Sequence, residues 1–182
     1  MKRHELEHII RAASGNTDRD QLFIFGSQAI LGKYLHAPER LLLSQEADVA
    51  VLDEKEQDEM ATLIDGTIGE LSPFHETFGY YAHGVTKETV YLPDDWKSRI
   101  VVISNENTRG ASGLCLHPDD LAVSKLIAGR EKDVEFVAEL LREKLVQTGV
   151  LSVLIPKVSR ASDEQKSAAE HRLARLVKAV GS

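Results

Sequence analysis

The sequence predicts an α/β (α+β) fold in which a sheet is flanked by helices and followed by a helical C-terminal part. Three observations carry this. Short apolar runs alternate with amphipathic stretches through the first half. The middle of the chain is rich in strand-like pieces separated by turn residues such as Pro93-Asp94-Asp95. From Pro118 onward the apolar spacing is helical throughout. A chain of 182 residues, 42% of them hydrophobic, is long enough to bury one ordinary core. The division expected is an α/β core over residues 1–115 and a helical part over 116–182, packed on it as one compact unit.

In order, residues 5–13 read as a short amphipathic helix, Leu22 to Phe25 as a buried strand, Gln28 to Leu35 as a helix and Asp48 to Leu52 as a second strand. A helix from Glu54 to about Gly69 follows. Strands are expected at Phe78 to Ala82, Thr89 to Leu92 and Ile100 to Ile103. His117-Pro118-Asp119-Asp120 reads as a helix start, with proline in the first turn and acids suited to the N-terminal dipole. Breaks are expected near Gly149 and Pro156. The last helix runs from about Asp163 to Val180, opened by a Ser162/Gln165 capping box and stopped at Gly181.

Charge and composition exclude several classes of function. Cys115 is the one cysteine, so neither an intrachain disulfide nor a cysteine-rich zinc site can form. Seven histidines without HExxH-like spacing argue against a zinc hydrolase. No apolar run approaches the roughly 20 residues of a membrane helix, and a cytoplasmic protein without membrane contact is expected. The net charge of −7 is unevenly spread: residues 39–76 carry eleven acidic and two basic side chains, and residues 157–182 six basic and three acidic. A basic face for nonspecific nucleic-acid binding is missing.

Two short stretches hold chemistry. In FIFGSQAILG, residues 23–32, a strand runs into Gly26-Ser27 and then into an expected helix, an arrangement that points backbone N–H groups and a hydroxyl at an anion. In SQEADVAV, Glu46 and Asp48 lie two apart on a strand, so both carboxylates project from one face and can hold Mg²⁺.

Strand, Gly-Ser, helix and acidic-x-acidic strand together resemble the nucleotidyltransferase superfamily. LHPDDLAVSKLIAGREKDVEF, Leu116 to Phe136, resembles the helical segment of bacterial nucleotidyltransferase-like proteins related to abortive-infection and toxin–antitoxin toxins, in which Lys-x-x-x-x-Arg-x-Lys-Asp recurs. The resemblance covers about residues 20–145. It implies a small mixed sheet of nucleotidyltransferase-like fold and a Mg²⁺ site, with one or two ions, on the catalytic carboxylates Glu46 and Asp48. It further implies phosphate binding by Gly26, Ser27, Lys125 and Arg130, supported by Lys132 and Asp133. The implied activity moves a nucleoside monophosphate from a nucleoside triphosphate to an RNA (tRNA included), a protein or a small molecule, in a toxin–antitoxin or phage-defence setting where an antitoxin is the expected partner.

This chain departs from the superfamily pattern at three points. Ile30 stands where an arginine is usual, and Glu46 where the first carboxylate is usually Asp. A third strand carboxylate has no evident counterpart: FGYYAHGV offers His83, and Glu76, Asp94 and Asp95 lie in turns. A noncatalytic module of the same fold, binding nucleotide or a partner, is therefore the alternative. Arg130 and Asp133 can equally form a salt bridge fixing two helices, with a break near Gly129, whereas Lys125 reads as a solvated lysine facing ligand. Tyr80 and Tyr81 face opposite sides of a strand, so at most one can stack on a base. Trp96 reads as a packing anchor.

Overall fold

A computed structural model describes residues 1–53 and 55–180. The chain divides into two compact units. One comprises Met1–Thr89 and Ile100–Leu116, the other Val90–Arg99 and the chain from His117 onward.

The first unit is built on a five-stranded mixed sheet ordered β3-β2-β1-β5-β4. Its strands are β1 (Gln21–Ile24), β2 (Glu46–Ala50), β3 (Tyr81–Gly84), β4 (Val101–Ile103) and β5 (Ser112–Cys115). β1 is central, antiparallel to β2 and parallel to β5. β2 runs parallel to β3, and β4 antiparallel to β5.

Helix α1 (Arg3–Thr17) buries Leu6, Ile9, Ile10 and Ala13 on one stripe, the spacing that fixes its inward face. Each such Leu or Ile contributes about 1.5–3 kcal/mol of burial. α2 (Gln57–Ile68) buries Met60, Ile64 and Ile68 and packs against α1 and β3. The alternation in β2 assigns the sheet faces: Ala47 and Val49 are buried, Glu46 and Asp48 half-buried on the opposite side. α1 comes so close to β5 that a Cβ at Gly113 would lie 2.3 Å from Ile10 Cδ1.

Several elements differ from the sequence expectation. The segment after Gly26 is a 3₁₀ turn, Ser27–Gly32, and not an α-helix reaching Leu35. Gly32 sits where a Cβ would be 2.6 Å from Cys115 Cβ, so the turn is pinned to β5 as it ends. The turn is too short to carry a helix dipole of consequence. Residues 73–78 form a helix, α3 (Pro73–Phe78), with Ser72 accepting from His75 N–H at its start and Gly79 left-handed at its end (φ 76°). The expected strand at Phe78 thus begins only at Tyr81. Thr89 to Leu92 is not a strand; Lys87–Thr89 is a 3₁₀ turn. β5, beside the central strand, is absent from the sequence reading because Ser112 and Gly113 have low strand propensity. The expected α2 start at Glu54 and the stop at Gly181 lie outside the described residues.

The second unit contains α4 (Pro118–Ala128), α5 (Glu131–Arg142), α6 (Thr148–Leu154) and α7 (Asp163–Val180). His117 caps α4, and Pro118 is its first residue. Gly129 ends α4 in the left-handed conformation (φ 68°), which is the break its position suggests. The break expected near Gly149 lies just before it, between the end of α5 at Arg142 and the start of α6 at Thr148. Ser162 and Gln165 form the capping box, with bonds of 2.9 and 3.2 Å. Trp96 is buried. Among the described residues no helix is long and apolar enough to cross a membrane.

Candidate active site

The first sheet unit gathers a turn, two carboxylates and an imidazole. Phe25 N–H donates to Asp48 O at 2.9 Å, carrying the β1–β2 pairing one residue past β1. Gly26 then turns with φ 51° and ψ −172°, a conformation all but restricted to glycine. Space is a second reason for glycine, since a Cβ there would stand 1.6 Å from Asp48 Oδ2. The Gly-Ser turn and the β2 carboxylate are therefore immediate neighbours. Ser27 is half-buried. Gln28, almost wholly buried, brings its Nε2 to 3.4 Å from Ser27 Oγ.

The parallel β2–β3 register sets Glu46 opposite Tyr81 and Asp48 opposite His83. Because both pairs are two residues apart, all four side chains share one face. Tyr81 Oη donates to Glu46 Oε2 at 3.1 Å. Burial and the Glu46 carboxylate push this phenol up to about 12. His83 Nδ1 lies 3.3 Å from Asp48 Oδ1 and 3.8 Å from Glu46 Oε1. The hydrogen bond to Asp48, reinforced by the charges of Asp48, Asp65 and Glu46, outweighs desolvation and lifts His83 to about 9. Without a metal, His83 is thus a cation bridging the two acids at neutral pH.

One ligand atom each from Glu46, Asp48 and His83 fall within 4.8 Å of one another, the one such cluster among the described residues. A third carboxylate is not part of it. Asp65 on α2 instead accepts from Gly84 N–H at 2.7 Å. Asp94 binds Ser159, and Asp95 binds Arg99 and Lys157, all within the helical unit. Glu76 lies on α3. Sequence reasoning missed Tyr81 as a partner of Glu46 and His83 as a partner of Asp48. The signal was the matching period of two in Glu46-x-Asp48 and Tyr81-x-His83.

The Lys-Arg-Lys-Asp motif has its own geometry in the helical unit. Asp133, fully buried, accepts from Lys125 Nζ at 2.9 Å and from Arg130 Nε at 2.6 Å. Lys125 Nζ also lies 4.8 Å from the centre of the Phe136 ring. Burial would raise the Asp133 carboxyl, but the bonds from Arg130 and Lys125 prevail and hold it below the usual range. Lys125 is therefore largely buried and paired, and not the solvated lysine of the sequence reading. The Arg130–Asp133 bridge is present, but as an i,i+3 pair at the start of α5; the bond that fixes two helices is the one from Lys125 of α4 to Asp133 of α5. Lys132 is exposed on α5. The Arg172 guanidinium fills the place of a Cβ at Gly129 and donates to Leu126 O at 2.8 Å.

Residues 4–177 match the family described as "Nucleotidyltransferase of unknown function (DUF6036)". The chain belongs to this family. The match takes in Gly26-Ser27, the β2 carboxylates and the whole Lys125–Asp133 motif. No curated protein and no solved structure matches the chain. In the sheet unit the Gly26-Ser27 turn touches the Asp48 carboxylate, and His83 stands beside Asp48 and Glu46.

Proposed function

We propose that this nucleotidyltransferase moves a nucleoside monophosphate from a nucleoside triphosphate to an acceptor hydroxyl on RNA, protein or a small molecule, with Mg²⁺ at Glu46 and Asp48. The observation that carries this reading is the contact between Gly26 and the Asp48 carboxylate. A phosphate seated on the turn and an ion on β2 would be adjacent, as a metal-chelated triphosphate requires.

The residues fit a divalent cation: two half-buried carboxylates point the same way, and each keeps an oxygen on the His83 side. When bound, the ion neutralises triphosphate charge and favours attack at the α-phosphorus. Backbone at Gly26 and the hydroxyl of Ser27 hold the β- and γ-phosphates. The Tyr81 hydroxyl fixes the orientation of Glu46. The acceptor oxygen bonds to the α-phosphorus, the α–β bridging P–O bond breaks, pyrophosphate leaves, and the hydroxyl proton passes to solvent. The toxin–antitoxin or phage-defence role and an antitoxin partner rest on the family resemblance, which also implies phosphate contacts from Lys125 and Arg130 with Lys132 and Asp133 in support; Lys125 and Arg130 are engaged by Asp133.

A second reading is a noncatalytic nucleotide- or partner-binding module. It is favoured by His83, whose raised pKa supplies a built-in cation between the two acids in place of a third carboxylate. Incubation with each labelled nucleoside triphosphate, Mg²⁺ and total tRNA or cell extract separates the two. Transfer of label to a macromolecule, lost in Asp48→Asn, is the expected result; nucleotide binding with no transfer to any acceptor supports the module.

A further inference from the structure

Each carboxylate of β2 has one oxygen turned away from His83 and the other turned toward it. Glu46 Oε2 accepts from Tyr81, and Asp48 Oδ2 is backed by Gly26. The remaining oxygens, Glu46 Oε1 and Asp48 Oδ1, both face His83 Nδ1, at 3.8 and 3.3 Å. Adjacent donors around an ion bonded at ~2.1 Å lie about 3 Å apart; the Asp48–His83 pair is near that spacing, and the three groups each offer a ligand atom within 4.8 Å of the others, a cluster that a small inward shift of Glu46 would close on one cation. They come from two neighbouring strands whose register is set by the sheet, a rigid base for a metal centre.

We propose that His83 is a third metal ligand and that the centre it completes selects a first-row transition ion, Mn²⁺ over Mg²⁺. The inference rests on reading Glu46 and Asp48 as metal ligands and revises the preferred ion of that reading from Mg²⁺ to Mn²⁺. Its basis is donor chemistry. Mg²⁺ prefers an all-oxygen shell and gives up water reluctantly, whereas an imidazole nitrogen favours first-row transition ions over it, most strongly the later ones. Mn²⁺ among these still accepts carboxylate and phosphate oxygens, so the remainder of its shell suits a triphosphate. Tyr81 orients Glu46 from outside the ligand set, the kind of support that ligating carboxylates usually have.

Calorimetric titration of Mn²⁺ and of Mg²⁺ into the full-length protein at one fixed pH, paired with pulsed electron paramagnetic resonance of the Mn²⁺ form, tests the proposal. Mn²⁺ is expected to bind wild type at least ~10-fold more tightly than Mg²⁺, with nitrogen coupling from a coordinated imidazole. His83→Ala loses that coupling and weakens Mn²⁺ by at least ~10-fold while changing Mg²⁺ far less. His83→Asp, which restores an oxygen donor, shifts the preference toward Mg²⁺. Equal affinities with no nitrogen coupling in wild type overturn the proposal. If Asp48→Asn abolishes binding of both ions and His83→Ala leaves Mn²⁺ unaffected, the carboxylate site stands and the role of His83 falls. Wild type binding neither ion removes both.

Discussion

Gly26 and Asp48 meet so closely that the place of a Cβ on residue 26 is taken by Asp48 Oδ2, 1.6 Å away. Backbone conformation and contact demand glycine independently. Gly26→Ala should therefore cost about 1–3 kcal/mol through backbone strain and displace the Asp48 carboxylate as well. Gly79→Ala is the control, because residue 79 is also left-handed (φ 76°) but has open space around its Cβ position. It should cost about 1–2 kcal/mol and leave ligand binding unchanged. Urea denaturation and nucleotide titration of both variants check this, and equal behaviour of the two would remove the steric part of the argument.

His83 supplies a pH dependence of defined sign. Its folded pKa of about 9 lies above the ordinary 6.5. The stability it contributes in metal-free protein is thus complete below about pH 6.5 and is lost as the pH rises through about 9. The imidazole resonances of metal-free wild type should titrate near 9, and those of Asp48→Asn markedly lower. A His83 midpoint near 6.5 in wild type would mean that the bridge to the two acids does not form.

The Asp133 cluster predicts an ordering of two lysine and arginine variants. Lys125 has 13% of its side chain exposed and Arg130 65%, while Asp133 has none. Lys125→Ala removes the buried partner and should cost about 3 kcal/mol. Arg130→Ala removes the solvated one and should cost under about 1 kcal/mol. Because the Asp133 carboxyl is held low, its contribution is present above about pH 4 and is lost as the pH falls through its lowered folded value. Chemical denaturation at pH 7 checks the order; Arg130→Ala proving the more damaging would reverse the assignment.

Much of this arrangement was legible because local patterns agree with it. The apolar run ending in Gly26-Ser27, the period-two acids of β2, the proline start at Pro118 and the Ser162/Gln165 box all state their own structure. What stayed hidden depends on neighbours distant in sequence. β5 is a strand through its pairing with β1 and β4, not through its own propensity, and Gly113 in it lets Ile10 of α1 approach. The helix expected after Ser27 is cut to a 3₁₀ turn where Gly32 meets Cys115. α3 was announced by Ser72-Pro73 and Gly79 but masked by the aromatic Phe74, Phe78 and Tyr80, which cluster with His8. His83 acquired its place only from the β2–β3 register, and no single-strand pattern contains a register.

The claim that the Gly26-Ser27 turn and the β2 carboxylates form one nucleotide site is tested most directly by thermal unfolding. The comparison is wild type against Asp48→Asn, with and without a divalent ion and a non-hydrolysable nucleoside triphosphate. A ligand present at 100 times its Kd and bound only by the folded state stabilises by about 2.7 kcal/mol. For a chain of this length that raises the midpoint by roughly 5–10 °C. The account predicts this rise in wild type, its dependence on the metal, and its near-complete loss in Asp48→Asn. An equal rise in both proteins, or none in wild type at saturating ligand, would contradict it.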